Sequence, residues 1–240
     1  MRDAERIVAA VAAALERETL VNLHEFPLQL EIDTGVLTME GEVEHIMAKK
    51  RALEVAAAIH GVSGIVDRLR LVPARPMGDG EIRDHICRAL LAETLLGGCT
   101  IRAIVKEQPE VLRAATQPED GRIDVEVREG IVVLDGAVSS LSAKRLAGVF
   151  AWWVPGSRDV INGIDTATAD DNDDEVVDAL RLVLEKDPFV DPSRIHVGCR
   201  NCWITLDGVV QSAAERHAAE ADAWFVFRVD GVTNRLLVKE

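Results

Sequence analysis

Three octapeptides far apart in the chain read as versions of one another: VLTMEGEV at 36–43, IVVLDGAV at 131–138 and WITLDGVV at 203–210. Each ends in the same acid-glycine step, Glu40-Gly41, Asp135-Gly136 and Asp207-Gly208. A second landmark follows 20 residues beyond each glycine: Gly61 opens GVSGIVDRL, Gly156 opens GSRDVINGI and Arg228 opens RVDGVTNRL. Two landmarks at one spacing in three places make an internal repeat, and a repeat sets the architecture before any single motif is considered. A chain of 240 residues then divides into three small modules, and 48% hydrophobic residues supply a core for them.

Periodicity orders the elements within each copy. Apolar residues at helical spacing, Ile7/Val11/Leu15, Ile82/Ile86/Leu90 and Val176/Leu180/Leu184, predict a first helix. Alternation at Leu28/Leu30/Ile32, Ile123/Val125/Val127 and Ile195/Val197/Cys199 predicts a strand. A tight turn leads to the second strand, which carries Leu37/Met39, Val132/Leu134 and Ile204/Leu206 on one face. A second helix is expected over 45–60, 140–154 and 212–227, and a last strand over Ile65–Val72, Val160–Thr166 and Val232–Val238. The fold class is therefore α+β, with three tandem α-β-β-α-β modules. Each is expected to be a three-stranded mixed sheet with two helices on one face. The modules span 1–73, 79–166 and 172–240. The linkers are Pro73-Ala74-Arg75-Pro76-Met77-Gly78 and the acidic stretch Thr166–Asp174. The middle copy carries an insertion near 97–120, in which Glu110–Ala115 is expected as a short helix.

This pattern resembles the BON domain family (bacterial osmotically-inducible and nodulation domain). The resemblance rests on Met39-Glu40-Gly41-Glu42-Val43, Leu134-Asp135-Gly136-Ala137-Val138 and Leu206-Asp207-Gly208-Val209-Val210. The closing segments Gly61–Leu69, Gly156–Ile164 with Asn162, and Val229–Leu236 with Asn234 complete it. Gly41, Gly136, Gly208, Gly61 and Gly156 are read as structural turn positions; Arg228 departs from the last of these columns. The resemblance implies a non-catalytic stress or envelope protein that engages phospholipid surfaces, potassium or protein partners. It brings no catalytic residues and no cofactor.

Charge narrows the partners. The chain carries a net −14, with 8 basic against 12 acidic residues in 1–73, 11 against 14 in 74–168 and 8 against 15 in 169–240. Nucleic acid is excluded, because phosphate binding draws on Lys and Arg. Lys49-Lys50-Arg51 is the one compact basic cluster and the candidate contact for anionic lipid. No run of 18 apolar residues predicts a membrane span. The acids Asp3 and Glu5, with no apolar core of a signal peptide, point to the cytoplasm; the periplasm is the alternative if an export signal was removed.

Aromatic residues mark the other candidate surface. Trp152 and Trp224 stand where copy one has Ala57, and Trp153 and Phe225 where it has Ala58. Helical geometry turns the Trp152/Trp224 column about 200° from the inner face, so these rings are expected to point outward. They would contact a membrane or partner, or pack copy two against copy three. Cys199-Arg200-Asn201-Cys202 raises a redox pair, a disulfide or half a zinc site with Cys87, Cys99, His85 or His196. Against that, Cys199 shares a column with Ile32 and Val127, and Cys202 with the turn residues Gly35 and Gly130, which makes Cys202 a strained position. The run Asp170–Glu175 lacks calcium-loop spacing and reads as a helix start. Asp135, Asp207 and His196 are expected at the surface, and His60 near a helix C-terminus, where a cation is favoured. No nucleotide loop, nucleophile elbow or zincin helix is present. The expected function is non-enzymatic binding of phospholipid surfaces or proteins. The alternatives are a potassium or calcium sensor and an intracellular scaffold.

Overall fold

The computed structural model describes residues 2–115, 117, 120–166 and 172–239. It forms two compact units, Met1–Pro73 and Ala74–Glu240. Among the described residues there are six α-helices and three mixed sheets.

In the first unit, α1 (Arg2–Leu15) precedes a hairpin of β1 (Gln29–Asp33) and β2 (Val36–Val43). The helix α2 (Ile46–Ala57) then crosses over to β3 (Gly64–Leu71), which pairs parallel with β2. Leu37, Met39 and Leu69 are fully buried, as are Val11 and Leu15 of α1 and Ala52 and Ala56 of α2. The hairpin turns on Thr34-Gly35 with both φ angles positive, 48° and 85°. That is the left-handed two-residue turn whose twist matches the strands.

The second unit holds two modules around one continuous core. Its first module runs α3 (Asp79–Ala92), β4 (Thr100–Val105), β5 (Gln108–Arg113), β6 (Arg122–Arg128) and β7 (Ile131–Val138). It ends with α4 (Leu141–Trp152), β8 (Asp159–Asn162) and β9 (Asp165–Thr166). The last module runs α5 (Asp173–Lys186), β10 (Ile195–Arg200), β11 (Trp203–Val210), α6 (Ala213–Phe225) and β12 (Gly231–Val238).

The insertion corrects two expectations. Glu110–Ala115 is not helical: residues 108–113 form β5, a hairpin partner of β4. The hairpin adds to the sheet edge through a parallel β4–β6 pairing, so the middle sheet has six strands, not three. The turn is Lys106-Glu107, both at positive φ. Neither residue belongs to the Asn/Gly pairs that announce such a turn, so composition hid it. Ile101 and Ala103 carry the strand into the core. The final strand of this module is in two pieces, β8 and β9, and between them Gly163 donates to the Leu134 carbonyl.

Gly136 and Gly208 lie inside β7 and β11, not in turns, as Gly41 lies inside β2. A Cβ there would sit 2.1 Å from the Arg122 carbonyl oxygen and 2.0 Å from that of Arg194. The opposing strand approaches too closely for any side chain. The second helices start on side-chain caps: His45 Nδ1 accepts from Ala48 N–H, Ser140 from Ala143 and Ser212 from Glu215. Asp170 and Asp171 of the acidic run lie outside the described residues, whereas Asn172 caps α5 by accepting from Glu175 N–H.

The helix α4 differs from its counterpart α2. Leu141, Ala143, Arg145, Leu146, Ala147, Gly148, Val149, Phe150 and Ala151 are all buried. One side lies on β7 and β8, the other on α5 and α6. A helix apolar all round is one covered on both sides. The joint between the second and third modules is built on it.

Candidate functional site

The Trp152/Trp224 column does not point to solvent as a set. Trp224 is 7% exposed, against the outward orientation expected from helix phase. Trp152 stacks on Phe225, with ring centroids 5.7 Å apart and planes 13° from parallel. Trp153 tilts against Phe150 at 5.6 Å, and its indole N–H donates to Asp222 Oδ1 at 2.8 Å. The phase argument fails because it counts one partner surface per helix, and α4 and α6 meet each other as well as their sheets. Helix α6 presents its C-terminal aromatic residues to the end of α4, and offset or parallel rings at this separation attract.

The joint also buries charge. Arg145 is fully buried and donates from Nε to the Phe227 carbonyl at 3.4 Å. Lys144 holds its ammonium 5.0 Å from the Phe227 ring centre. Lys186, at the end of α5, pairs with buried Glu93 at 3.0 Å. Asp222 is 2% exposed, and desolvation pushes its carboxyl up to about 8, against the Trp153 hydrogen bond and with help from Asp187.

Lys49 and Arg51 do not form an open basic patch. Lys49 is 5% exposed, donates to the Leu69 carbonyl at 2.8 Å and lies 3.0 Å from Asp67. Arg51 grips Glu18 with two bonds of 2.9 Å and Glu54 with a third of 2.8 Å. Hydrogen bonding to Glu18 and Glu54 pushes its pKa further up. Lys50, half-buried beside them, is the remaining member of the cluster.

The Lys49–Asp67 pair has a sequence signal that the charge count concealed. Its column holds Asn162 and Asn234 in the other copies. Asn162 donates to the Lys144 carbonyl at 2.8 Å and accepts from Ile164 N–H; Asn234 donates to the Arg216 carbonyl and accepts from Leu236 N–H. The asparagine straps the last strand to the second helix. Aspartate accepts from Leu69 N–H in the same way but cannot donate to the helix, so a buried lysine ties it there instead.

The cysteines are free thiols. Cys202 sits at φ 60° and Asn201 at 52°, the left-handed turn that glycine takes in the other copies. Asp173 accepts from both turn N–H groups, at 2.7 and 2.8 Å, and from Cys199 Sγ at 3.3 Å. Asp79 caps the Glu129-Gly130 turn in the same way. Burial, with the neighbouring Asp173, pushes the Cys199 thiol up to about 12, and burial pushes Cys87 up to about 11. Cys99 donates to the Asp120 carbonyl, and His85 Nδ1 lies 2.8 Å from the Glu81 carbonyl. Among the described residues no three His, Cys, Asp or Glu side chains converge as metal ligands.

Gly61 has φ 99°, and Arg228 takes φ 67° in its column. Gly156 is required for another reason: a Cβ would fall 2.6 Å from Met77 Cβ. A cleft lined by Leu20, Val21, Phe26, Val43 and Ala48 has a volume of about 10 Å³, room for one water. Among the described residues no helix is long and apolar enough to cross a membrane. The exposed aromatic rings all belong to the last module: Phe189 at 78%, with Trp203 and Phe227 less so. Sequence reasoning missed these three; Phe189 stands in a Pro-rich loop, Asp187-Pro188-Phe189-Val190-Asp191-Pro192, where no core periodicity claims it.

The BON domain family matches residues 3–73, 100–168 and 172–240. The middle match takes in the inserted hairpin and begins after α3. Over 164 residues the chain is 27% identical to the osmotically-inducible protein Y of Escherichia coli (strain K12), covering 68% of this chain and 73% of that protein. Two structures of CdsD, a structural protein of the type III secretion system of Chlamydia trachomatis, align over 98% and 96% of this chain. They also cover 98% and 92% of their own lengths, at 13% and 14% identity and TM-scores of 0.26 and 0.25. Superpositions this loose bear on neither fold nor function.

Proposed function

Because this chain belongs to the BON domain family, we propose that it is a non-catalytic binding protein of an osmotic-stress response that engages phospholipid surfaces. The observation that carries this reading is the threefold family match over nearly the whole chain. The osmotic context is supported by the similarity to osmotically-inducible protein Y. Binding rather than catalysis is supported by the described side chains, whose polar clusters serve turns, straps and the module joint.

The contact set is led by Phe189, the most exposed aromatic ring, with Trp203; the Phe227 ring already carries the Lys144 ammonium. Burying aromatic rings at the lipid interface returns free energy that burying a paired lysine would not. The segment that holds them carries 8 basic against 15 acidic residues, so attraction is apolar and not Coulombic. Co-sedimentation with phosphatidylcholine vesicles, with and without added anionic lipid, tests this. The expected result is sedimentation that anionic lipid does not raise and that Phe189→Ala weakens, with a blue shift of tryptophan emission. A chain that stays in the supernatant at every composition overturns the lipid reading and leaves those rings to a protein partner.

A further inference from the structure

Asp222 stands where the other copies have Val55 and Phe150, a carboxylate in an apolar column. It lies on α6 at the joint with α4, 2% exposed. One oxygen accepts from the Trp153 indole across the joint at 2.8 Å. The other meets no donor among the described residues, and the Asp187 carboxylate at the end of α5 is near enough to push the Asp222 carboxyl up. Asp187 is itself 9% exposed and accepts from Phe189 N–H.

We propose that Asp222 and Asp187 form a proton-operated latch that holds the second and third modules together. With the proton present, Asp222 donates from Oδ2 to Asp187 while Oδ1 keeps Trp153, and every polar atom of the cluster is paired. Loss of the proton sets two carboxylates face to face in a nearly dry pocket, where like charges repel strongly. The strain falls on the Trp153–Asp222 bond, and α4 loosens from α6. From α4, Lys144 lies over the Phe227 ring and Arg145 bonds the Phe227 carbonyl. Next to Asp187 on α5, Lys186 pairs with Glu93. Within α6 itself, Arg216 donates to the Asn234 carbonyl and Glu220 accepts from the Asn234 amide.

Desolvation, opposed by Trp153 and reinforced by Asp187, pushes the Asp222 carboxyl up to about 8. An acid with a raised folded pKa holds a proton that the unfolded chain has already lost. Stability is therefore full below about pH 4, the unfolded value, and declines as the pH rises toward 8. The latch does not depend on what the protein binds, so its test uses no lipid.

Amide exchange of the full chain, corrected for intrinsic rates, should show protection in α4 and α6 falling from about pH 4 and levelling off above about pH 8. Asp222→Asn keeps the shape, accepts from Trp153 and donates to Asp187 at every pH, so its protection should stay level. Asp187→Asn, which removes the facing group but leaves Asp222 buried, should make the fall shallower and end it at lower pH, and serves if the first variant does not fold. In the wild type, carboxyl carbon NMR reads the titration directly. An Asp222 resonance titrating above pH 6 supports the latch. One that titrates below pH 5, or an Asp222→Asn profile as steep as the wild type's, overturns it.

Discussion

The strap between the last strand and second helix shows how one column can change chemistry and keep its task. Asn162 and Asn234 donate to a helix carbonyl, whereas Asp67 relies on Lys49. Lys49→Ala should destabilise the first unit by about 1–3 kcal/mol, because it takes the cation from the Asp67 carboxylate and one of two side-chain donors, beside Arg70, from the Leu69 carbonyl. Asp67→Asn added to that variant should recover part of the loss, by restoring an amide that can reach the helix. Urea melts of the two single variants and the double variant measure the coupling. Asp173 is a second case. Hydrogen bonds from the Cys202 and Asn201 N–H groups, then Cys199, hold its carboxyl below the usual aspartate range. Its contribution is present above the unfolded value of about 4 and lost as pH falls through the lower folded value. The melting temperature of Asp173→Ala should lie below the wild type's at pH 7, and the two should converge in acid.

At the scale of elements, the inserted hairpin β4–β5 works as a fastener. Arg113, at the end of β5, donates to the carbonyls of Leu91 and Cys99, at 3.2 and 2.9 Å, and of Leu96. These include an end-of-helix carbonyl of α3 that has no partner within the helix. Arg113→Ala should cost about 1–3 kcal/mol and raise amide exchange in the Thr94–Leu96 turn before it does so in α4. The hairpin was not legible in sequence, since Lys106-Glu107 is an ordinary charged pair that is forced to positive φ. Ile101 and Ala103 alternate with Arg102 and Ile104, and only Ile101 and Ala103 of the four are buried. Glu110, Val111 and Leu112 in β5 are exposed on an outer strand, so they show neither period.

For the whole molecule, the two compact units differ in what encloses their helices. In Met1–Pro73 a single sheet backs α1 and α2, and Ala57 and Ala58 at the end of α2 remain exposed. In Ala74–Glu240 one core runs from Ile82 and Leu90 through Leu146 and Val149 to Val183 and Val197. The second and third modules should therefore unfold together. Leu146→Ala, at 1% exposure in α4, should cost about 2–5 kcal/mol. It should reduce amide protection in α5 and α6 as much as in β7. Loss of protection confined to residues 74–166 would show that the modules unfold separately.

The sequence alone determined the three copies, the order of helices and strands that they share, the tight hairpin turns and the columns that fill the core, but not the inserted hairpin. All of these are local, because periodicity and turn chemistry report how one element meets its nearest neighbour. Leu37, Leu134 and Leu206 occupy one face of their strands whatever the rest of the chain does. The second surface of α4 was decided by tertiary structure. A helix already backed by its sheet met α5 and α6, which buried Trp224, closed Arg145 off from water and brought Asp222 and Asp187 together. Those contacts join residues whose separation in sequence carries no period, and their energy depends on desolvation, which exists only once the modules have packed.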